Sequence, residues 1–237
     1  MSTRRARYWA VVPAAGGGSR MGTNKPKQYL NLRGRALLEW SLGPFLDTGW
    51  IDGLVLVLAK SDQDYARLPI ARHPKIVTTI GGAARAESVL AGLEAVSERT
   101  RGFEDVFVLV HDAARPCLEW SDLERLRDEA DDDDGGLLAV PVTDTLKKGK
   151  KGKVAATLDR SLLWRAQTPQ LFRLDLLRQA LLDCDERNLQ VTDEASAMER
   201  AGYKPRLVRG RESNLKVTYP EDLLLAEFWL AHAESQP

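Results

Sequence analysis

The chain has 237 residues, of which 43% are apolar, and it carries 34 Lys and Arg residues against 34 Asp and Glu residues. This length predicts one full α/β domain or two small ones, and the balanced charge leaves no overall field that would favour nucleic acid or a membrane. Its two cysteines argue against a disulfide framework, and no apolar segment is long enough to cross a bilayer. The basic N-terminus lacks the cleavage pattern of a signal peptide, so we expect a cytoplasmic protein.

An apolar run over residues 8–14 predicts a buried first strand, which leads into a glycine-rich loop at residues 13–22. Three cations, Arg20, Lys25 and Lys27, follow within a short stretch. Backbone amides between glycines can surround an anion, and nearby cations neutralise phosphate charge. We therefore predict a polyphosphate site, with a purely structural turn as the alternative.

The same loop also fits a loose dinucleotide-binding pattern through Gly16, Gly18 and Gly22. That pattern expects a continuous helix directly after the glycines, but Pro26 lies where the helix would run. It also expects an acidic residue after the second strand, where this chain has Lys60. A dinucleotide-dependent dehydrogenase is therefore the weaker hypothesis.

Strands and helices alternate along the chain after the glycine loop. Strand patterns lie at 54–59, 75–80, 105–110 and 137–142, and helical spacing of apolar residues lies at 36–46, 61–68, 85–96 and 121–130. Ser61 and Asp62 are the expected cap of the short helix at 61–68. This alternation predicts an α/β fold, with a single Rossmann-like, mostly parallel sheet that has helices on both faces.

Three polar loops are predicted at the carboxyl ends of strands: the glycine loop, Gly81-Gly82, and residues 111–115. Ligands of such sheets bind at this edge, so we expect the three loops to meet in one crevice. Asp112 suits a ribose hydroxyl, a metal or an alcohol substrate, but an ion pair with Arg115 explains it equally well. His111 is better explained as a structural residue.

Residues 143–160 interrupt the alternation. Two short strand patterns flank the turn at residues 149–152 and predict a β-hairpin. Two strands alone are marginally stable in water, so we predict that the hairpin is a dimerisation arm that lies against a second copy of the chain. Arg160 and Lys216 read as surface charges when taken alone, but Arg160 on such an arm would enter the crevice of the partner.

The remaining segments return to the main body. The predictions are an extended segment at 162–170, helices at 174–182 and from 192 onward, a short strand at 206–208, an extended segment at 214–217, and a last helix at 220–233. Thr192 is the expected N-cap of its helix. We treat residues 1–237 as one domain with the arm at 143–160.

With these motifs in place, the chain closely resembles the 2-C-methyl-D-erythritol 4-phosphate cytidylyltransferases from about residue 9 to residue 232. The resemblance lies in Pro-Ala-Ala-Gly-Gly-Gly-Ser-Arg-Met-Gly at 13–22, Pro-Lys-Gln-Tyr at 26–29, Gly-Gly-Ala-Ala-Arg-Ala-Glu-Ser-Val at 81–89, Val-His-Asp-Ala-Ala-Arg-Pro at 110–116, Asp-Thr at 144–145, Asp-Arg at 159–160, Thr-Pro-Gln at 168–170, Thr-Asp-Glu-Ala-Ser at 192–196 and Asn-Leu-Lys-Val-Thr at 214–218.

The resemblance implies that CTP and methylerythritol phosphate react to give the CDP-alcohol and pyrophosphate, with Mg²⁺ held mainly by the phosphate oxygens. It implies catalytic roles for Arg20, Lys27, Arg160 and Lys216, with Arg160 given across a homodimer. CTP would contact the backbone of Ala14, Ala15, Gly16, Gly17 and Gly18, the cytosine pocket at Gly82 and Ser88, and Asp112 near the ribose. The residues implied in binding the alcohol phosphate are Asp112, Arg115, Thr145, Arg160, Thr168 and Lys216.

One position departs from the family pattern. Relatives often have Asp after the glycine pair, where this chain has Ala83, so we expect backbone groups or Ser88 to read the cytosine amine. The alternatives are a cytidylyltransferase for another sugar-alcohol phosphate, such as ribitol 5-phosphate, and a non-catalytic nucleotide-binding sensor. No partner among nucleic acids or membranes is expected.

Overall fold

The computed structural model describes residues 6–16 and 26–235. Within them, the strands are β1 (Arg7–Pro13), β2 (Asn31–Leu32), β3 (Arg35–Ala36), β4 (Gly53–Leu58), β5 (Ile76–Ile80), β6 (Val106–Val110), β7 (Gly136–Pro141), β8 (Lys147–Lys150), β9 (Lys153–Thr157), β10 (Trp164–Arg173) and β11 (Arg206–Arg209). The helices are α1 (Leu37–Asp47), α2 (Arg85–Arg99), α3 (Trp120–Ala130), α4 (Leu174–Glu186), α5 (Glu194–Arg200) and α6 (Pro220–Glu234).

Seven of these strands form a central sheet in the order β11-β7-β10-β6-β1-β4-β5. Neighbours pair in parallel except for β10, which runs antiparallel between β6 and β7. The predicted α/β fold with a mostly parallel sheet is confirmed. The segment at 162–170, predicted only as extended, contributes to an interior strand that continues to Arg173.

Both faces of the sheet are covered, which explains the uninterrupted apolar runs of β4 and β6. Side chains alternate along β1, so Ala10 and Val12 pack on one face with apolar residues of α1 and α3. Val11 points to the other face and packs with residues of α2, α4 and α5. The two cores hold the carboxyl ends of β1 and β6 at one edge of the sheet, and parallel pairing with β4 places the end of β5 at the same edge.

A third apolar cluster fixes the last helix against the start of α1. It contains Leu37, Val217, Ala226 and Leu230, together with Cys117. The amide of Val217 also donates to the Ala114 carbonyl at 2.8 Å. The segment that carries Lys216 is therefore held beside the end of β6.

Two local predictions need correction. The short helix predicted at 61–68 is a single 3₁₀ turn at Tyr65–Arg67, followed by a second at Pro69–Arg72, and the Asp62 carboxylate accepts the Tyr65 amide at its start. The N-cap of α5 is Asp193 and not Thr192, since the Asp193 carboxylate accepts the Ser196 amide at 3.0 Å.

The predicted hairpin is present as β8 and β9, which form a sheet of their own. The residues of both strands are exposed, and the Leu158 amide donates to the Leu146 carbonyl at the base of the hairpin. Cys117 and Cys184 are buried free thiols. Within residues 6–16 and 26–235, no helix has the length and apolar character needed to span a bilayer.

Candidate active site

A crevice opens at the carboxyl edge of the sheet, where the three predicted polar loops meet. Its lining comes from β1 and the loop after it, the loop between β5 and α2, the end of β6, and the segment before α6. The residues on its walls are Pro13, Ala14, Ala15, Gly16, Lys27, Gln28, Gly82, Ala83, Ala84, Arg85, Ser88, Asp112, Ala113, Ala114 and Lys216.

The first loop is anchored where it leaves β1. The Ala14 amide donates to the Val57 carbonyl at 2.8 Å, and the Gln28 side-chain amide donates to the Ala14 carbonyl at 2.8 Å. The Lys27 ammonium donates to the Val217 carbonyl at 3.1 Å, which places this cation at the crevice wall. Arg20, Gly17 and Gly18 lie outside the described residues.

The second loop is held close to the first helical turn of α2. A side chain at Gly82 would collide with Glu87, because an added Cβ would lie 2.5 Å from the Glu87 Cβ. The Ala83 amide donates to the Glu87 carboxylate at 2.8 Å, and the buried Ser88 hydroxyl donates to the Ala84 carbonyl at 3.1 Å. These bonds keep Gly82 and Ser88 on one side of the crevice.

Asp112 is the carboxylate of the crevice wall, and both of its oxygens are paired with cations. Arg85 donates to Oδ1 at 3.1 Å, and Lys216 lies 2.7 Å from Oδ2. Burial opposes ionisation of Asp112, but Arg85 and Lys216 outweigh it and hold the pKa of this carboxyl far below its ordinary value. Asp112 is therefore an anion that accepts hydrogen bonds and does not take up a proton near neutral pH.

Arg85 uses a second edge of its guanidinium to bind Glu194, at the first position of α5. The two Nη–Oε distances are 2.6 and 3.2 Å, and Glu194 is 1% exposed. Burial opposes the charge on Arg85, but Glu194 and Asp112 raise its pKa above the ordinary value. Sequence reasoning placed Arg85 at the second loop and gave Glu194 no role, because a pair 109 residues apart leaves no periodic signal.

His111 lies directly behind Asp112 and is fully buried. Its Nε2 is 3.2 Å from the Arg115 carbonyl, which can only accept, so Nε2 carries the hydrogen. Burial lowers the pKa of His111 to about 4, so the ring is neutral at pH 7 and Nδ1 accepts from the Thr168 hydroxyl, 3.1 Å away. Thr168 Oγ1 in turn accepts the Asp112 amide at 3.0 Å.

The residues expected to bind the alcohol phosphate are in three different settings. Asp112 and Lys216 are on the crevice wall, whereas Thr168 and Arg115 are buried beside it. Arg115 donates to the Asn214 carbonyl at 2.6 Å. Thr145 and Arg160 are exposed at the base of the hairpin, where Arg160 donates to the Thr143 carbonyl, and neither lines the crevice of its own chain.

A family model described as 2-C-methyl-D-erythritol 4-phosphate cytidylyltransferase matches residues 8–232. The chain belongs to this family. The enzyme transfers the cytidylyl group from CTP to 2-C-methyl-D-erythritol 4-phosphate, which gives CDP-methylerythritol in isoprenoid biosynthesis. The sequence-based prediction of a nucleotidyltransferase with this reaction is confirmed.

Individual members of the cytidylyltransferase family are similar to the chain over nearly its whole length. The 2-C-methyl-D-erythritol 4-phosphate cytidylyltransferase of Mannheimia succiniciproducens is 52% identical over 223 residues, which is 94% of this chain and 95% of that protein. The crystal structure of a 4-diphosphocytidyl-2C-methyl-D-erythritol synthase aligns with a TM-score of 0.83 at 38% identity, over 96% of this chain and 100% of the other. The Francisella tularensis cytidylyltransferase aligns with a TM-score of 0.81 at 35% identity, over 94% of this chain and 100% of that chain.

Proposed function

We propose that CTP lies along the crevice with its triphosphate over the first loop, its cytosine beside Gly82 and Ser88, and its ribose near Asp112. The observation that carries this placement is the arrangement of charge. Lys27 and Lys216 lie on the crevice wall, where the Lys27 ammonium donates to the carbonyl of Val217, the residue after Lys216, and Asp112 is the acidic side chain among the described wall residues. This gives a cationic region for phosphates beside an anionic acceptor suited to hydroxyl groups.

The reaction itself needs positioning and charge neutralisation more than proton transfer. A phosphate oxygen of methylerythritol phosphate attacks the α-phosphorus in line, the bond from that phosphorus to the bridging oxygen breaks, and pyrophosphate leaves. Two anions must approach each other, so Lys27, with Arg20 and Lys216, lowers the barrier by neutralising charge that grows on the phosphoryl oxygens. The attacking oxygen is already ionised, and Asp112, as an anion held by Arg85 and Lys216, is suited to binding hydroxyl groups.

Mg²⁺ is part of this proposal as an ion that enters with the triphosphate. Phosphate oxygens are the hard ligands that Mg²⁺ prefers, and the ion would neutralise charge on them. Among the described residues, no three His, Cys, Asp or Glu side chains lie close enough to hold a metal. Both oxygens of Asp112 are paired with cations, so the phosphate oxygens would supply the protein-independent ligands of the ion.

The second part of the proposal is a homodimer in which the arm at 143–160 completes the acceptor side of the partner's site. The hairpin pairs only with itself among the described residues, and the arm exposes Val154, at 66%, and Leu158, at 41%. Exposed apolar side chains on an isolated two-stranded sheet favour burial against another surface. Arg160 and Thr145 would then reach a crevice that their own chain does not offer them. Residues 1–237 would form one domain in each copy.

A cytoplasmic location also belongs to this proposal. Two buried free thiols suit a reducing compartment, and CTP is the substrate of the reaction.

Mixed dimers test the shared site directly. Lys27→Ala and Arg160→Ala chains with different affinity tags are expressed together, and dimers that hold one copy of each are purified through both tags. One site then has an intact Lys27 from one chain and an intact Arg160 from the other, while the second site lacks both. We expect about half of the wild-type rate of pyrophosphate release, because a two-fold dimer keeps one intact site of its two.

The controls are the two homodimers, each of which should release pyrophosphate far more slowly than the mixed dimer. A mixed dimer as inactive as the two controls would place Arg160 in the site of its own chain. A monomer by light scattering with full activity would overturn the dimer itself.

A further inference from the structure

Glu194 is a buried carboxylate that has no role in the cytidylyl transfer as proposed above. It is 1% exposed, and its two oxygens are 2.6 and 3.2 Å from Nη1 and Nη2 of Arg85. Two parallel bonds between a guanidinium and a carboxylate fix the plane of the arginine as well as its position. Arg85 therefore has a set orientation before any ligand enters the crevice.

That orientation decides where Asp112 points. Arg85 meets Asp112 Oδ1 through Nε at 3.3 Å and Nη2 at 3.1 Å, so one guanidinium bridges two carboxylates. Lys216 holds the other oxygen of Asp112 at 2.7 Å. The order Glu194–Arg85–Asp112–Lys216 joins α5, α2, the end of β6 and the segment before α6 through charged contacts.

The position of Glu194 is itself fixed from β10. Gln170 accepts the Ala195 amide on Oε1 at 2.8 Å and donates through Nε2 to Asp193 at 3.0 Å. Asp193 caps α5, so the first turn of this helix is tied to the sheet on both sides of Glu194. Because its helix is fixed to the sheet, Glu194 can hold Arg85 in one position.

We propose that Glu194 is a positioning residue, which acts through Arg85 to aim the Asp112 carboxylate into the crevice. It also balances the charge of Arg85, so that the four groups carry no net charge and Arg85 does not compete with Lys27 for phosphate. The inference rests on the proposed role of Asp112 at the ribose and the acceptor. It assigns to Glu194 a function in the reaction that is distinct from holding α5 in place.

The test is a double-mutant cycle between Glu194→Gln and Asp112→Asn. Glutamine keeps the shape of Glu194 but puts an amide donor opposite a guanidinium donor, so one of the two bonds to Arg85 is lost. We expect Glu194→Gln to lower kcat/KM for methylerythritol phosphate by about ten- to a hundredfold, as misalignment of a reacting group does. In the Asp112→Asn background the same change should have no further effect, because the residue through which Glu194 acts is already altered.

Glu199→Gln is the matched control, since Glu199 is exposed on the same helix and loses the same charge. It should leave kcat/KM unchanged. Urea unfolding of every variant separates a loss of fold from a loss of alignment. If Glu194→Gln does not fold, Glu194→Asp replaces it in the cycle, because the shorter side chain keeps the charge but draws the carboxylate back from Arg85.

The outcomes separate the inference from the function on which it rests. Equal, multiplicative losses in the wild-type and Asp112→Asn backgrounds would show that Glu194 acts elsewhere and would overturn the inference. A wild-type rate for Glu194→Gln would also overturn the inference about Glu194. If Asp112→Asn loses activity in that case, the proposed role of Asp112 still stands. A wild-type rate for Asp112→Asn would instead overturn the proposed function.

Discussion

The crevice and the arm belong to the same chain but are held by opposite means. In the crevice, the Asp112 side chain is 11% exposed and the Glu194 side chain 2%, and cations from separate segments converge on them. In the arm, the strands β8 and β9 are exposed along their whole length and pair with each other alone among the described residues. The crevice is formed by the fold of one chain, whereas in the proposed dimer the arm lies against a surface of the partner.

In the proposed site, this difference separates the CTP side from the part of the acceptor side that the arm supplies. The groups proposed for CTP lie on elements fixed by the two main cores, while Thr145 and Arg160, proposed for the alcohol phosphate, lie at the base of the arm. Substitutions in the crevice should therefore change chemistry or stability in a single chain. Changes in the arm should act through assembly and acceptor binding.

The largest expected effect is in the crevice. Lys27→Ala and Arg20→Ala should each lower kcat by roughly two orders of magnitude or more, because each removes a cation expected to contact charge that grows in the transition state. Pyrophosphate release under saturating CTP and acceptor measures the effect. Lys60→Ala, which removes an exposed cation at the end of β4, should leave kcat unchanged. An unchanged kcat in either crevice variant would remove that residue from the chemistry.

A second expected effect concerns stability and comes from His111. Its pKa falls from 6.5 to about 4 on folding, so the unfolded chain binds the proton first as the pH is lowered. The stabilisation by neutral His111 is complete above pH 6.5 and is lost between pH 6.5 and 4. By linkage the loss is about 2 kcal/mol at pH 5 and about 3 kcal/mol at pH 4.

Urea unfolding between pH 7 and 4.5 measures this dependence. His111→Gln should unfold more easily at pH 7, because a buried hydrogen-bonded ring is lost, but its free energy of unfolding should change much less with pH. His232→Gln, a change at an exposed histidine, should keep the wild-type slope. If the free energy of unfolding of His111→Gln changes with pH as steeply as that of the wild type, another group titrates in this range.

The smallest expected effect is on CTP binding when the arm is shortened. Leu146 and Leu158 are hydrogen-bonded across the base of the hairpin, so an Asn-Gly turn in place of residues 147–157 closes it without strain. The dissociation constant for CTP should change by less than about threefold, because the nucleotide side is formed within one chain. Turnover should fall, and light scattering should show weaker assembly. A large loss of CTP binding would break the separation between crevice and arm.

The sequence predicts those features of the fold and of the site that depend on short-range patterns. The apolar runs of β4 and β6 and the helical spacing of apolar residues in α2 are short-range signals, and they predict these elements. Because the carboxyl ends of parallel strands lie at one edge of a sheet, the elements in turn predict the position of the crevice. The antiparallel placement of β10 does not follow from them, because the order of strands depends on pairings between distant segments. The Arg85–Glu194 pair is hidden for the same reason. Thr192 and Asp193 are adjacent residues with equal capping chemistry, so only the fold decides between them.

Strand β10 runs from the base of the arm into the middle of the sheet, and this continuity limits where residues can be inserted. Leu171 packs in the core on one face, and Phe172 packs in the core on the other. One residue added at the tip of the hairpin would be absorbed by an exposed turn. One residue added just before Leu171 would exchange the faces of Leu171 and Phe172 and so turn each side chain away from its core. Between the arm and the sheet, length variation among homologues should therefore occur in the hairpin and not in β10.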